Sequence, residues 1–180
     1  MKNILLITLL SFASTQLFAE EMIIGTELLS SNVDLIFEGA PKDTVYPEKN
    51  YLAEAETDVH IEMLANWSQN NKYGAPAGGF VAYLDVTVKI TNQKTTKTKE
   101  TQLTPHLNLS DNFHYAQNIK LPGNTDALYT VTFTVNPPKA KDLGIHHDWY
   151  HSVGQLIAKS TFTYKNLSFD QVTKQVRRKP

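Results

Sequence analysis

"GGFVAYLDVTVKITN", Gly78 to Asn92, is the stretch that decides the fold class. From Phe80 onward it alternates. Phe80, Ala82, Leu84, Val86, Val88 and Ile90 fall on one side, and Val81, Tyr83, Asp85, Thr87 and Lys89 fall on the other. A period of two with branched apolar residues on one side predicts a long strand with one buried face. The pattern returns in Tyr129, Val131, Phe133 and Val135, which Pro137-Pro138 brings to a stop. Val33, Leu35 and Phe37 alternate in the same way, as do Phe162 and Tyr164. Turn clusters separate these runs: NNKYGAPAGG (70–79), TNQKTTKTKE (91–100) and LPGNTD (121–126). The best helical candidate is the short piece from Trp149 to Ala158, and it contains Gly154. Strands at this spacing without intervening helices predict an all-β protein, an immunoglobulin-like antiparallel β-sandwich in a single domain.

Composition fits that reading. The 180 residues are 41% hydrophobic and 19% charged, as in ordinary globular proteins. The start, MKNILLITLLSFASTQLFAEE, has one Lys, an apolar run from Ile4 to Leu10 and small residues ending at Ala19. It reads as a signal peptide over 1–19, leaving 20–180 as an exported, mature β-sandwich domain. The run is too short to span a bilayer, so the mature chain is expected not to be membrane-embedded. Cleavage would remove Lys2 and no acid, leaving 16 basic against 18 acidic residues, a balance that gives no reason to expect nucleic acid. Cysteine is absent, so a metal site must be built from His, Asp, Glu or Met.

All six histidines lie between His60 and His151. In "AETDVHIEMLANW" (55–67), a strand would point Val59, Ile61 and Met63 one way and Asp58, His60 and Glu62 the other. An imidazole and a carboxylate two residues apart on one face can share an ion. Solvent-facing strands alternate in the same way, so this pair alone does not decide. "GIHHDWYH" (144–151) reads as a flexible segment carrying His146 and His147, and "SDNFHY" reads as a turn on which Asp111 could orient the ring of His114. No nucleophile elbow, phosphate loop or zinc-protease helix is present.

Taken in order, "DVHIE", "GGFVAYLDVTVKITN", "SDNFHYAQNIKLPG", "YTVTFTVNPP" and "GIHHD" resemble the periplasmic iron-transport accessory proteins of bacteria, the family of the thirty-four-kilodalton membrane antigen. The resemblance runs from about Val59 to Asp148. It implies a homodimer that binds a divalent transition metal (Fe, Cu or Zn) and works beside an inner-membrane iron permease. It implies His60, His114 and His146 as imidazole ligands, His146 coming from the partner subunit, with Glu62 as a carboxylate of the same or an adjacent site. His106 and His147 are further candidates to complete the shell. Many relatives carry Met seven residues before the "HY" histidine; that position here is Leu107, which cannot ligate and so weakens the expectation of Cu(I) selectivity.

The expected function is therefore non-enzymatic: presentation of metal to a permease in ferrous iron uptake. Binding should weaken below the ordinary imidazole range near ~6.5. The alternative is an immunoglobulin-like structural or adhesive module whose histidines are incidental.

Overall fold

In the computed structural model, residues 21–175 are described; the expected signal peptide, residues 1–19, lies outside them. Eight strands run β1 (Met22–Leu28), β2 (Val33–Ala40), β3 (Val59–Trp67), β4 (Asp85–Asn92), β5 (Thr98–Asn108), β6 (Asn112–Ile119), β7 (Leu128–Asn136) and β8 (Ser160–Ser168). Two short helices, α1 (His147–Ser152) and α2 (Asp170–Thr173), complete the chain, with two 3-10 turns at Glu48–Asn50 and Glu54–Glu56.

The all-β, antiparallel expectation holds. In place of two separate sheets there is one ladder in the order β1-β2-β3-β6-β5-β4-β7-β8. β5 joins its halves. Thr98 to Leu103 pair with β4, and Thr104 to Asn108 pair with β6. The sheet folds over one core and brings its two edges nearly together: Tyr164 of β8 donates a 2.9 Å hydrogen bond to Glu27 of β1. Gly25 of β1 has no room for a Cβ, because the Tyr164 ring lies against it. In the core Phe37 stacks on Phe133 at 4.3 Å and meets Phe162 at 5.4 Å. Val59, Ile61, Met63, Val86, Val88, Ile90, Val131 and Val135 surround them, all fully buried.

The long strand expected from Phe80 starts only at Asp85. Tyr83 has a φ of 65°, which no strand sustains. The buried Tyr115 hydroxyl ties this irregular stretch down, donating to the Val81 carbonyl at 2.7 Å and accepting from the Leu84 N–H at 2.9 Å. Alternation from Val86 onward is genuine; before it, apolar residues are buried by a bend rather than by a ladder. The helix expected over 149–158 forms earlier and shorter, as α1. Its Trp149 packs on Trp67 at 6.3 Å and on Tyr73 at 5.4 Å.

Candidate metal centre

β2, β3, β6 and β5 lie side by side, and their register assembles the centre. Glu38 sits opposite Glu62, and Ala40 opposite His60. His60 pairs with Asn118, and Glu62 with Ala116. Thr104 faces Ala116, and His106 faces His114. Alternation puts all of these on the face away from the core. Ala40 and Ala116 are small enough to leave space between the longer side chains. The connection between β2 and β3 folds over this face, and its Asp43, Tyr46 and Tyr51 help to enclose a cavity of about 750 Å³. Its polar wall is not solvated strand surface: His60 is 4% exposed, Glu62 3%, His106 8% and His114 1%.

His60, His106 and His114 each offer a ring nitrogen, and the three nitrogens lie within 4.8 Å of one another. Glu62 Oε1 is 3.6 Å from His60 Nε2 and 4.0 Å from His114 Nε2. Hydrogen bonds fix the tautomers. Asn118 donates through Nδ2 to the carbonyls of Asp43 and Leu52, so its Oδ1 is the acceptor that faces His60 Nδ1 at 2.7 Å. His60 Nδ1 therefore carries the proton, and Nε2 keeps its lone pair. The carbonyl of Asn112 does the same for His114 Nδ1 at 3.2 Å. His106 engages the Thr104 hydroxyl through Nε2 at 3.2 Å, and Tyr51 packs edge-on against its ring at 5.0 Å.

Charge is costly in this cavity. Burial lowers His60 to about 4, against the help of Asn118, and lowers His106 to about 4 as well. His114 is lowered by burial too. Glu62 is raised to about 8, first by burial and then by Glu21, Asp111 and Glu38; Glu38 is raised to about 7 for similar reasons. Oε2 of Glu62 and of Glu38 are buried with no hydrogen-bond partner among the described residues.

A divalent ion fits this arrangement. Neutral imidazoles present lone pairs beside the Glu62 carboxyl, which becomes a ligand by giving up its proton and whose second oxygen has no hydrogen-bond partner among the described residues. Glu62 also belongs to a second group, since one oxygen each from Glu21, Glu62 and Asp111 lie within 4.8 Å of one another. That all-oxygen set suits harder ions.

The structure thus brings His60, Glu62 and His114 together within one subunit and adds His106. His146 stands elsewhere in the same chain, exposed at the N-cap of α1 in a second cavity lined by Trp67, Tyr73 and Trp149. Two expectations about the hairpin change. His114 lies on strand β6, not on a turn, and the Asn112 carbonyl holds its ring. Asp111 instead accepts from Asn108 Nδ2 and Ser110 Oγ, both at 2.8 Å, which locks the turn. Leu107, reached by counting back seven residues, lines the cavity but is 65% exposed and offers no ligand atom; its neighbour His106 is the residue that faces His114. Pairing across the hairpin, rather than a count along the chain, was the signal that finds it.

Comparison with known proteins agrees with the fold. A UPF0423 protein of Brucella abortus (strain 2308) is 27% identical over 150 residues, spanning 82% of this chain and 81% of that protein. FetP of uropathogenic Escherichia coli, as isolated, superposes with a TM-score of 0.68 at 26% identity, covering 82% of this chain and 95% of FetP. Copper-reconstituted P19 of Campylobacter jejuni gives 0.69 at 25%, covering 81% and 94%. The family described as Fe2+ transport protein matches residues 18–170, nearly the whole length, and this chain belongs to it.

Proposed function

We propose that this protein is an exported, non-enzymatic metal carrier of the periplasm. It holds a divalent transition ion (iron, copper or zinc) among His60, His106, His114 and Glu62, and presents ferrous iron to an inner-membrane permease. The observation that carries the reading is the meeting of three buried imidazole nitrogens within 4.8 Å, beside a carboxyl oxygen with no hydrogen-bond partner among the described residues. An incidental set of histidines would sit in water. The copper-bound state of P19 and the family's description support the class of cargo. In the homodimer, His146 of the partner subunit adds a further imidazole at the mouth of the cavity.

The residues act by holding protons in the right places. Asn118 and the Asn112 carbonyl keep the Nδ1 protons of His60 and His114, so that Nε2 of each points inward. Because burial holds His60 and His106 near 4, these ligands stay neutral well below the ~6.5 of free imidazole. The acid limit expected from sequence therefore moves downward. Glu62 acts in the opposite direction. Its proton, held up to about 8, must leave when the ion arrives, so affinity should climb with pH until that value.

Metal content of untagged protein, followed by competition titration, tests the reading. One ion per site is expected, and His114→Ala should weaken binding more than 100-fold, beyond the roughly 10–100-fold typical of losing a ligand's hydrogen-bond partner. Unchanged affinity in that variant would refute it.

A further inference from the structure

The segment "HHDWYH" (146–151) carries three histidines that the buried pocket does not contain within its own chain. Two of them stand at i and i+4 of α1. His147 and His151 are both exposed, and their ring centroids are 4.2 Å apart with the planes tilted by 49°. Residues four apart occupy the same face of a helix, the spacing by which paired histidines chelate one ion. Two imidazole nitrogens on one tetrahedral ion, each bound at ~2.0–2.1 Å, are about 3.3 Å apart. Rings already this close reach that spacing by side-chain rotation alone.

The platform is held in place. Trp149, between the two histidines, packs on Trp67 and Tyr73, which ties the helical turn to β3 and its following loop. Tyr150 meets the His151 ring edge-on at 5.4 Å and 88°, which narrows its freedom. The i→i−4 bonds from Tyr150 to His146 and from Val153 to Trp149, at 2.9 and 2.8 Å, keep the turn closed. Asp148 is occupied with the Trp149 N–H at 2.8 Å. Neither histidine belongs to a three-ligand cluster among the described residues, so an ion here would fill its other positions with water.

We propose that His147 and His151 form a second, solvent-facing chelate for a divalent borderline ion such as Cu(II), Zn(II) or Ni(II). It binds more weakly than the buried pocket and exchanges its ion readily. All-nitrogen ligation selects these ions over the harder Mg(II) and Ca(II). The pair relies only on its own side chains and does not require the buried pocket to bind.

Calorimetric titration of the mature protein with Cu(II) tests this, alongside NMR of the histidine ring protons. Two classes of site are expected, the second broadening the His147 and His151 signals together. His147→Ala and His151→Ala should each weaken that second class at least ten-fold and leave the first intact, which also reports that the variant is folded. His147→Gln and His151→Gln repeat the test with polar replacements. In His114→Ala protein the weak class should survive alone, so failure of the pocket and failure of the surface pair are told apart. A single class in the wild-type protein, or a second class that persists in all four surface variants, overturns the proposal.

Discussion

β3 buries both of its faces, for opposite reasons. On one, Val59, Ile61, Met63 and Ala65 are fully enclosed, each gaining roughly 25 cal/mol per Å² of apolar surface taken from water. On the other, His60 and Glu62 are 4% and 3% exposed and gain nothing of the kind. There the imidazoles are kept neutral, a carboxyl is kept protonated, and Glu62 Oε2 has no hydrogen-bond partner among the described residues. Desolvated polar groups without full hydrogen bonding weaken a fold. One side of the strand therefore supports the structure, and the other draws on that support to hold a site ready. An ion that binds only the folded chain returns the stability.

The comparison can be broken most forcefully from the core side. Phe37→Ala, which removes the ring stacked on Phe133, should cost about 3–5 kcal/mol and lower the thermal midpoint accordingly. Metal affinity of the molecules still folded should stay within about two-fold of wild type, since no ligand is touched. A large loss of affinity would mean the two faces cannot be separated. A change on the other face should do the reverse. Asn118→Ala frees the His60 ring and should lower metal affinity by roughly 10–100-fold, read by competition with a chelator. Affinity unchanged by that substitution would remove Asn118 from the site.

The gentlest probe is pH. Glu62, at about 8, and Glu38, at about 7, hold protons in the folded protein that the unfolded chain releases near ~4.3. Their contribution makes the metal-free protein less stable as pH rises across that window. His60 and His106 oppose it. Near 4 in the fold and ~6.5 unfolded, they make stability rise with pH between those values. The trends compete up to ~6.5, and above it only the carboxyls remain. Denaturant midpoints of the metal-free protein should thus decline from pH ~6.5 to about 8. Glu62→Gln should make that decline shallower and level it off about one pH unit earlier, since Glu38, half-titrated near 7, is then the carboxyl that remains. A fall in the variant as steep near 8 as in the wild type would assign it to another group.

Much of this was legible in the sequence because a period of two carries real information. The alternation in 59–63 placed His60 and Glu62 on one face and Met63 on the other, as the strand does. What the pattern could not give was which strands become neighbours. β6 slots between β3 and β5, and only that order sets His114 and His106 beside His60. The hairpin register is set by a three-residue turn, Leu109 to Asp111, with Asn112 in the left-handed region at a φ of 58°. One residue more or less would have turned Leu107 inward and His106 out. The false start at Phe80 has a similar cause: apolar spacing is the same for a strand and for a bend pinned by Tyr115, and only the positive φ at Tyr83 separates them.

The site also has a place in time. His60 and the asparagine that orients it are 58 residues apart in the chain, and they meet only after β3 has found β6 across everything between. Non-local pairings of this kind form late, because loop closure comes first and its reward follows. A newly made, still unfolded polypeptide offers only scattered imidazoles to the surrounding pool of ions. Loading must therefore wait for the finished sheet, which protects a nascent chain from being trapped around the wrong metal.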